Sequence, residues 1–266
     1  MLYFPQLPSG ATAQYPFVKR RVYRTAATAT LDGRLFKLSD PAWARFEWEL
    51  AYRTLTSPER EELEAFHRSV EGRLSEFTFL DPTENLLGWS GDLDRPVWEK
   101  GPLLSLAGGV ADPDGGENAA RVVNSAAASQ SLQQTIHGPA WFHYCFSLYA
   151  RSDNPTSLTL FRSTGGNEEE TVHTADSVWR RLTHSGKSPS ADETVTFGIR
   201  LGAGSAVEVF GMQADAQPAP SAYRKTTSRS GVHENARFDD DSLAFVAEGP
   251  EQHSCTVRIV ATAITQ

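Results

Sequence analysis

Between Arg45 and Tyr52 the chain alternates, with Phe46, Trp48, Leu50 and Tyr52 on one side and Glu47 and Glu49 on the other. A period of two is the mark of a half-buried strand. Thr56-Ser-Pro-Glu59 then has the spacing of a capping box with Pro in the first turn, Leu63, Phe66 and Val70 form an apolar stripe, and Gly72 supplies a stop. This spacing predicts a helix over Ser57–Glu71. One stripe means one covered face, so the helix should lie against a sheet that resumes at Phe77-Thr-Phe-Leu80. Trp48, Leu63, Phe66, Phe77 and Phe79 are the expected scaffold core of this first segment.

The texture changes after Asp81-Pro-Thr-Glu-Asn85. Phe142, Tyr144, Phe146 and Leu148 alternate with His143, Cys145 and Ser147, and Val195, Phe197, Ile199 and Leu201 alternate with Thr194, Thr196 and Arg200. Val207 and Val209 follow. Short alternating runs between loops rich in Gly, Asn, Ser and Pro predict a β-sandwich. From about Arg224 the chain is charged and turn-like, and it closes on Cys255, Val257 and Ile259, another alternating strand.

Residues 1–84 hold few strands to close a layer alone, so residues 234–266 are expected to return to them, with 85–233 as an insertion. The fold expected is mainly β: two β-sandwich domains, the outer one with a single α-helix and interrupted by an inserted jelly roll.

Composition narrows the function. The chain of 266 residues carries a net charge of −8, with pI near 5.4. That balance argues against sequence-specific grip on nucleic-acid phosphates, which needs clustered Lys and Arg. No run approaches the roughly 18 apolar residues of a membrane span, and no basic leader precedes an apolar stretch, so no membrane insertion and synthesis in a cytoplasm are expected. Cys145 and Cys255 each sit in a strand-like run, which reads as two buried free thiols.

Tyr15-Pro-Phe-Val-Lys-Arg-Arg-Val-Tyr-Arg24, Trp48-Glu-Leu-Ala-Tyr52, Leu55-Thr-Ser-Pro-Glu59, Gly72-Arg73 and Phe77-Thr-Phe-Leu-Asp-Pro82, in that order, resemble the N-terminal domain of distal tail and minor tail proteins of long-tailed phages and gene transfer agents. The resemblance covers the outer domain. It implies a virion protein of the tail tip: a homo-oligomeric ring, hexameric in that family, whose partners are the tail tube protein and the tail hub or tip proteins. Asn85-Leu-Leu-Gly-Trp-Ser90, Pro96-Val-Trp98, Asp112-Pro-Asp-Gly-Gly116, Trp179-Arg-Arg-Leu182 and Val209-Phe-Gly-Met-Gln213 resemble carbohydrate-binding jelly-roll modules found in phage tail and fibre proteins. This implies a sugar-binding-type module with a host surface glycan as a further partner.

Sugars stack on aromatic faces, so Trp141, His143 and Tyr149, the odd positions beside the even core of their strand, are the candidate carbohydrate-binding residues. A second layer or a neighbouring subunit covering them is the competing reading. Trp89, Trp98 and Trp179 are expected in the core. Asp112, Asp114, Glu117 and Asn118 bring oxygen ligands into a Gly-rich loop, a weak calcium candidate that a solvated turn explains equally. No metal and no other cofactor is expected. Glu168–Glu170 and Asp239–Asp241 read as solvated loops, and no Gly-x-Ser-x-Gly motif occurs. The chain is therefore expected not to be an enzyme, with a lectin-like adhesion module or a glycosidase accessory protein as alternatives.

Overall fold

The computed structural model describes residues 1–263; residues 264–266, the end of the returning segment expected above, lie outside the described residues. The strands β1 (Val18–Ala29) and β2 (Leu35–Leu55), the helix α1 (Ser57–Ser69) and β3 (Phe77–Leu80) come first. β4 (Glu99–Lys100), β5 (Leu104–Val110), β6 (Ala119–Asn124), β7 (Gln130–His137) and β8 (Tyr144–Arg151) follow. Next are β9 (Thr156–Thr164), β10 (Asn167–Ala175), β11 (Arg180–Gly186), β12 (Thr194–Leu201) and β13 (Ala206–Asp215). β14 (Val232–Phe238), β15 (Phe245–Gly249) and β16 (Gln252–Thr262) end the chain. The protein is thus mainly β, with α1 its one helix among the described residues. Two compact units emerge: Met1–Pro8, Ala13–Phe79 and His233 onward form the outer unit, while Ser9–Thr12 and Leu80–Val232 form the inserted one.

In the outer unit the strands link in one sheet of order β1-β2-β16-β14-β3, with β15 on the side of β16. The register sets Ile259 beside Trp48, Val257 beside Leu50 and Cys255 beside Tyr52, so the alternating residues of both strands share one face. That face is buried: Trp48, Leu50 and Tyr52 are 1%, 0% and 1% exposed. Thr56 accepts from the Glu59 backbone N–H while the Glu59 carboxylate accepts from the Thr56 N–H, the reciprocal cap that starts α1. Gly72, at φ +64°, donates to the His67 carbonyl and ends it. Leu63 is buried and Phe66 partly buried against the same core. Rings of Phe4, Phe66, Phe77 and Phe238 stand 5.1–6.2 Å apart.

One part of this unit has no cover. β16 pairs with β2 from Arg45 onward and the Ala263 N–H donates to the Ala44 carbonyl, so the stretch from Leu35 to Asp40, about 17 Å of strand at ~3.3 Å per residue, is paired on one side alone, by β1. Four residues, 41–44, oppose the single Tyr23 where the register shifts. Pro41, which cannot donate to a ladder, falls in that gap, a position Pro tolerates. Beyond it a two-stranded arm continues to the turn at Thr30–Arg34, closed by backbone hydrogen bonds between Thr30 and both Gly33 and Arg34.

The inserted unit is a sandwich of two five-stranded antiparallel sheets, β10-β9-β12-β7-β4 and β11-β8-β13-β6-β5. Phe146 and Tyr144 of β8 face Phe197 of β12 with ring centroids 5.8 and 5.5 Å apart, which fixes the two inner faces. Asn85 ties the entering chain to β13, donating to the Met212 carbonyl at 2.9 Å and accepting from the N–H groups of Leu87 and Ala214. Cys145 and Cys255 are free and buried, and burial pushes their thiols up to about 11 and about 12.

Candidate functional site

The candidate aromatics lie at the start and end of β8. The strand begins only at Tyr144, so Trp141 and His143 belong to the turn before it rather than to an alternating run from 141 to 149. Trp141 is 45% exposed. The His143 imidazole Nε2 lies 3.2 Å from Ser185 Oγ, which itself donates to the Pro218 carbonyl at 2.6 Å. Burial first, then Arg162 and Lys187, hold His143 below its ordinary pKa.

Tyr149 is half-buried, its ring 6.1 Å from Phe210 and under the Arg181 guanidinium at 5.6 Å. Between the two ends Cys145 and Ser147 are fully covered. The register places Tyr149, Ser147 and Cys145 on one face with Phe210, Gln213 and Asp215 of β13. The returning segment lies on that face. The Tyr223 ring meets Phe210 edge-on at 5.1 Å and packs where a Cβ on Gly211 (φ +69°) would stand, 3.1 Å from it. Ser221 Oγ donates to Asp215 at 2.6 Å, Gln213 Nε2 donates to both, and the Arg224 N–H donates to Gln213 Oε1 at 2.8 Å. Burial raises the Asp215 carboxyl despite these bonds. The expected aromatic platform is therefore divided by the chain's own cover, and Trp141 is its exposed remainder.

Of the three tryptophans expected in the core, Trp98 is buried, at 2%. Trp89 and Trp179 are only half-buried, with the guanidinium groups of Arg95 and Arg151 at 4.3 and 4.8 Å over their rings. Arginine stacking covers what the interior does not. The scaffold residues Trp48, Leu63, Phe77 and Phe79 are all at most 1% exposed.

The Asp112 loop closes on itself. Asp112 Oδ1 accepts from the N–H groups of Asp114 and Gly116, and Oδ2 from the backbone and side-chain N–H of Asn118, at 2.8–3.0 Å. The Asn118 hydrogen bonds chiefly lower this carboxyl to about 2. Asp114, Glu117 and Asn118 are exposed. Asp114, Gly116 and Asn118 thus build a turn around the Asp112 carboxylate.

A face absent from the sequence reading is better furnished. Glu168 and Glu170, expected in a loop, lie in β10 and point to the outer side of the sheet β10-β9-β12-β7-β4. The Arg200 guanidinium donates to Glu170 at 2.9 Å and to both oxygens of Glu168 at 2.6 and 2.7 Å, and it lies 4.9 Å over the Phe161 ring. Phe161 can occupy the sheet face because its neighbour is Gly198, where a Cβ would stand 2.6 Å from Phe161 Cζ. Alongside, Thr135 and Thr196 share a hydroxyl hydrogen bond of 2.7 Å and Gln133 donates to Glu99 at 2.9 Å. The result is an outer sheet face of hydroxyls, an amide, carboxylates and one fixed guanidinium, a hydrogen-bonding set suited to polyol hydroxyls. The alternation of Thr194, Thr196, Gly198 and Arg200 was the available signal for it.

No family model and no curated protein matches this chain. Among solved structures, it is similar to the C-terminal family 22 carbohydrate binding module of Clostridium thermocellum Xyn10B, at 15% identity over 53% of this chain and 99% of that one, TM-score 0.42. It is also similar to TmCBM61 in complex with beta-1,4-galactotriose, at 16% identity over 49% and 97%, TM-score 0.37. A third is the enzymatically active domain of tailspike protein 4 from bacteriophage CBA120, at 11% identity over 52% of this chain but 22% of that one, TM-score 0.38. Likenesses of this degree transfer no function.

Proposed function

We propose that this chain is a structural protein of a phage tail tip. In this reading its outer unit closes into a homo-oligomeric ring of six copies, joins the tail tube protein to the hub or tip proteins, and carries the inserted sandwich as a sugar-binding-type module. The protein is assembled in the host cytoplasm, ends in the virion and catalyses no reaction. The observation that carries this is the β1–β2 arm. Two-stranded ribbons are marginal in water without a third layer, yet this one holds Leu35, Phe36 and Leu38 at 57%, 63% and 74% exposure and Leu31 fully exposed. Apolar side chains held out in this way belong to an interface completed by another chain. Negative-stain electron microscopy of the purified protein should show closed rings with six-fold averages. Monomers at micromolar concentration would overturn the reading.

A second reading, glycan adhesion as the main task, is supported by the Arg200 face and by exposed Trp141. The protein should retain host cells or a cell-surface glycan, and Arg200→Ala should remove that retention if the polar face carries it. The double change Trp141→Ala, Tyr149→Ala should remove it if the aromatics do. Retention unchanged in both variants would end the adhesion reading.

A further inference from the structure

The two sheets of the insert meet at their edge strands β10 and β11, which belong to different sheets and share no ladder. Side chains hold this seam. From β10, Glu169, Thr171 and His173 reach inward, the alternates of Glu168 and Glu170. His184 of β11 is 6% exposed, and its Nδ1 lies 2.9 Å from Thr171 Oγ1. His173 Nε2 donates to the Thr183 carbonyl at 3.0 Å. Arg162 of β9, 2% exposed, donates to Glu169 at 2.5 Å and to the Gly186 carbonyl of β11.

The seam is short of negative charge. Around His184 stand Arg162 from β9 and Glu169 and His173 from β10. The turn before β8 adds His143, which faces Arg162 and Lys187, and β8 adds the Tyr144 phenol beside Arg162. Glu169 is the carboxylate of this group, and it already pairs with the Arg162 guanidinium. His184 Nε2 is buried with no hydrogen-bond partner among the described residues, so an imidazolium would place an N–H donor there without an acceptor and beside a guanidinium. Strand β10 has little else to hold it. Between Asn167 and Thr174 its one large apolar residue is Val172, which is 61% exposed, and its backbone pairs with β9 alone. Segments that bury so little apolar area open at low free energy.

We propose that the β10–β11 seam is an acid-sensitive latch: protonation of His184 parts the two strands and frees β10 from the edge of its sheet, while the rest of the sandwich stays folded. Burial first, then Arg162, hold His184 below its ordinary value. The open state therefore takes up the proton and gains population as pH falls below about 6.5. The latch stands on the geometry of the insert alone. Freeing β10 also withdraws Glu168 and Glu170 from Arg200, so acid dismantles the polar face, and the consequence of this for glycan retention rests on the adhesion reading.

Hydrogen exchange of the full chain, corrected for the intrinsic pH dependence of the rate, tests the latch. Between pH 7.5 and pH 5, exchange in peptides from residues 167–175 should rise by at least about tenfold. Peptides from 194–201, in the central strand β12 of the same sheet, should hold their protection. The midpoint of the rise should coincide with the His184 titration followed by NMR in the wild type, and His184→Gln should remove the rise. Unchanged protection of 167–175 at pH 5, simultaneous loss across 194–201, or a rise that persists in His184→Gln overturns the latch. A midpoint away from the His184 titration overturns it without any variant. Retention of a cell-surface glycan at pH 7.5 and not at pH 5, with His184→Gln retaining it at both, supports the consequence for the polar face, and wild-type retention at both overturns that consequence. Retention at neither pH, with the exchange result as expected, ends the adhesion reading and leaves the latch standing.

Discussion

Removing the Trp48 indole tests the core that supports the arm. The side chain is 1% exposed, with ring centroids of Phe79, His233 and Phe46 at 5.1, 4.8 and 5.8 Å. Trp48→Ala therefore removes a fully buried aromatic from a site walled by other rings, where collapse to fill the void is limited. Deletions of this size cost about 3–5 kcal/mol, a large share of the ~5–15 kcal/mol that holds a typical domain. With a urea slope of ~2 kcal/mol/M, the midpoint should fall by about 1.5–2.5 M. Hydrogen exchange across a urea series separates the two units, since peptides from residues 45–55 report on the outer one and peptides from 144–151 on the insert. The loss should be confined to the outer unit. Glu47→Ala, on the opposite face of β2, should stay within about 0.5 kcal/mol of wild type. Equal midpoints for Trp48→Ala and wild type would refute the assignment of the buried face.

Three further outcomes are expected. Within the insert, Asp81 N–H donates to the Gly231 carbonyl and Gly231 N–H to the Asn85 carbonyl, both at 2.8 Å, so its two ends are adjacent. Joining residue 79 to residue 233 through a short Gly-Ser linker should then leave a folded outer unit, and residues 80–232 should fold alone, each checked by its own cooperative melt. Asn85→Ala strands the buried N–H and C=O groups that this side chain satisfies, and should lower insert stability by roughly 1–3 kcal/mol in chemical denaturation. Burial first, then Arg162, holds His184 below its ordinary pKa, so the unfolded chain binds the extra proton. Stability from neutral His184 is present above about 6.5 and is lost as pH falls below it. Asp215, raised by burial, shifts stability with the opposite sign, so the check is the difference between wild type and His184→Asn. The variant's melting temperature should fall less between pH 7.5 and 5, and identical slopes would refute the assignment.

The alternation at Trp48, Leu50 and Tyr52, the capped helix and the even positions of β8 were all legible, because each depends on which side of a local element is buried. What buries that side is not a local property. Cys145, Ser147 and Tyr149 follow the outward period of β8, yet the first two are fully covered because residues 221–224 return from β13 and pack Tyr223 and Ser221 over the same face. The polar letters of that segment gave no sign of a cover, since its contacts are hydrogen bonds to Gln213 and Asp215 rather than an apolar stripe. Glu168–Glu170 failed in the reverse sense. Three consecutive acids look like a solvated loop, but in β10 alternate members fall on one face, and a single cation from β12 pairs with both. The partner, Arg200, is 30 residues or more away in sequence and two strands away in the sheet. A sheet face is thus composed across strands, and the chemistry of a binding face can be read only once the register that juxtaposes Arg200, Phe161 and Glu170 is known.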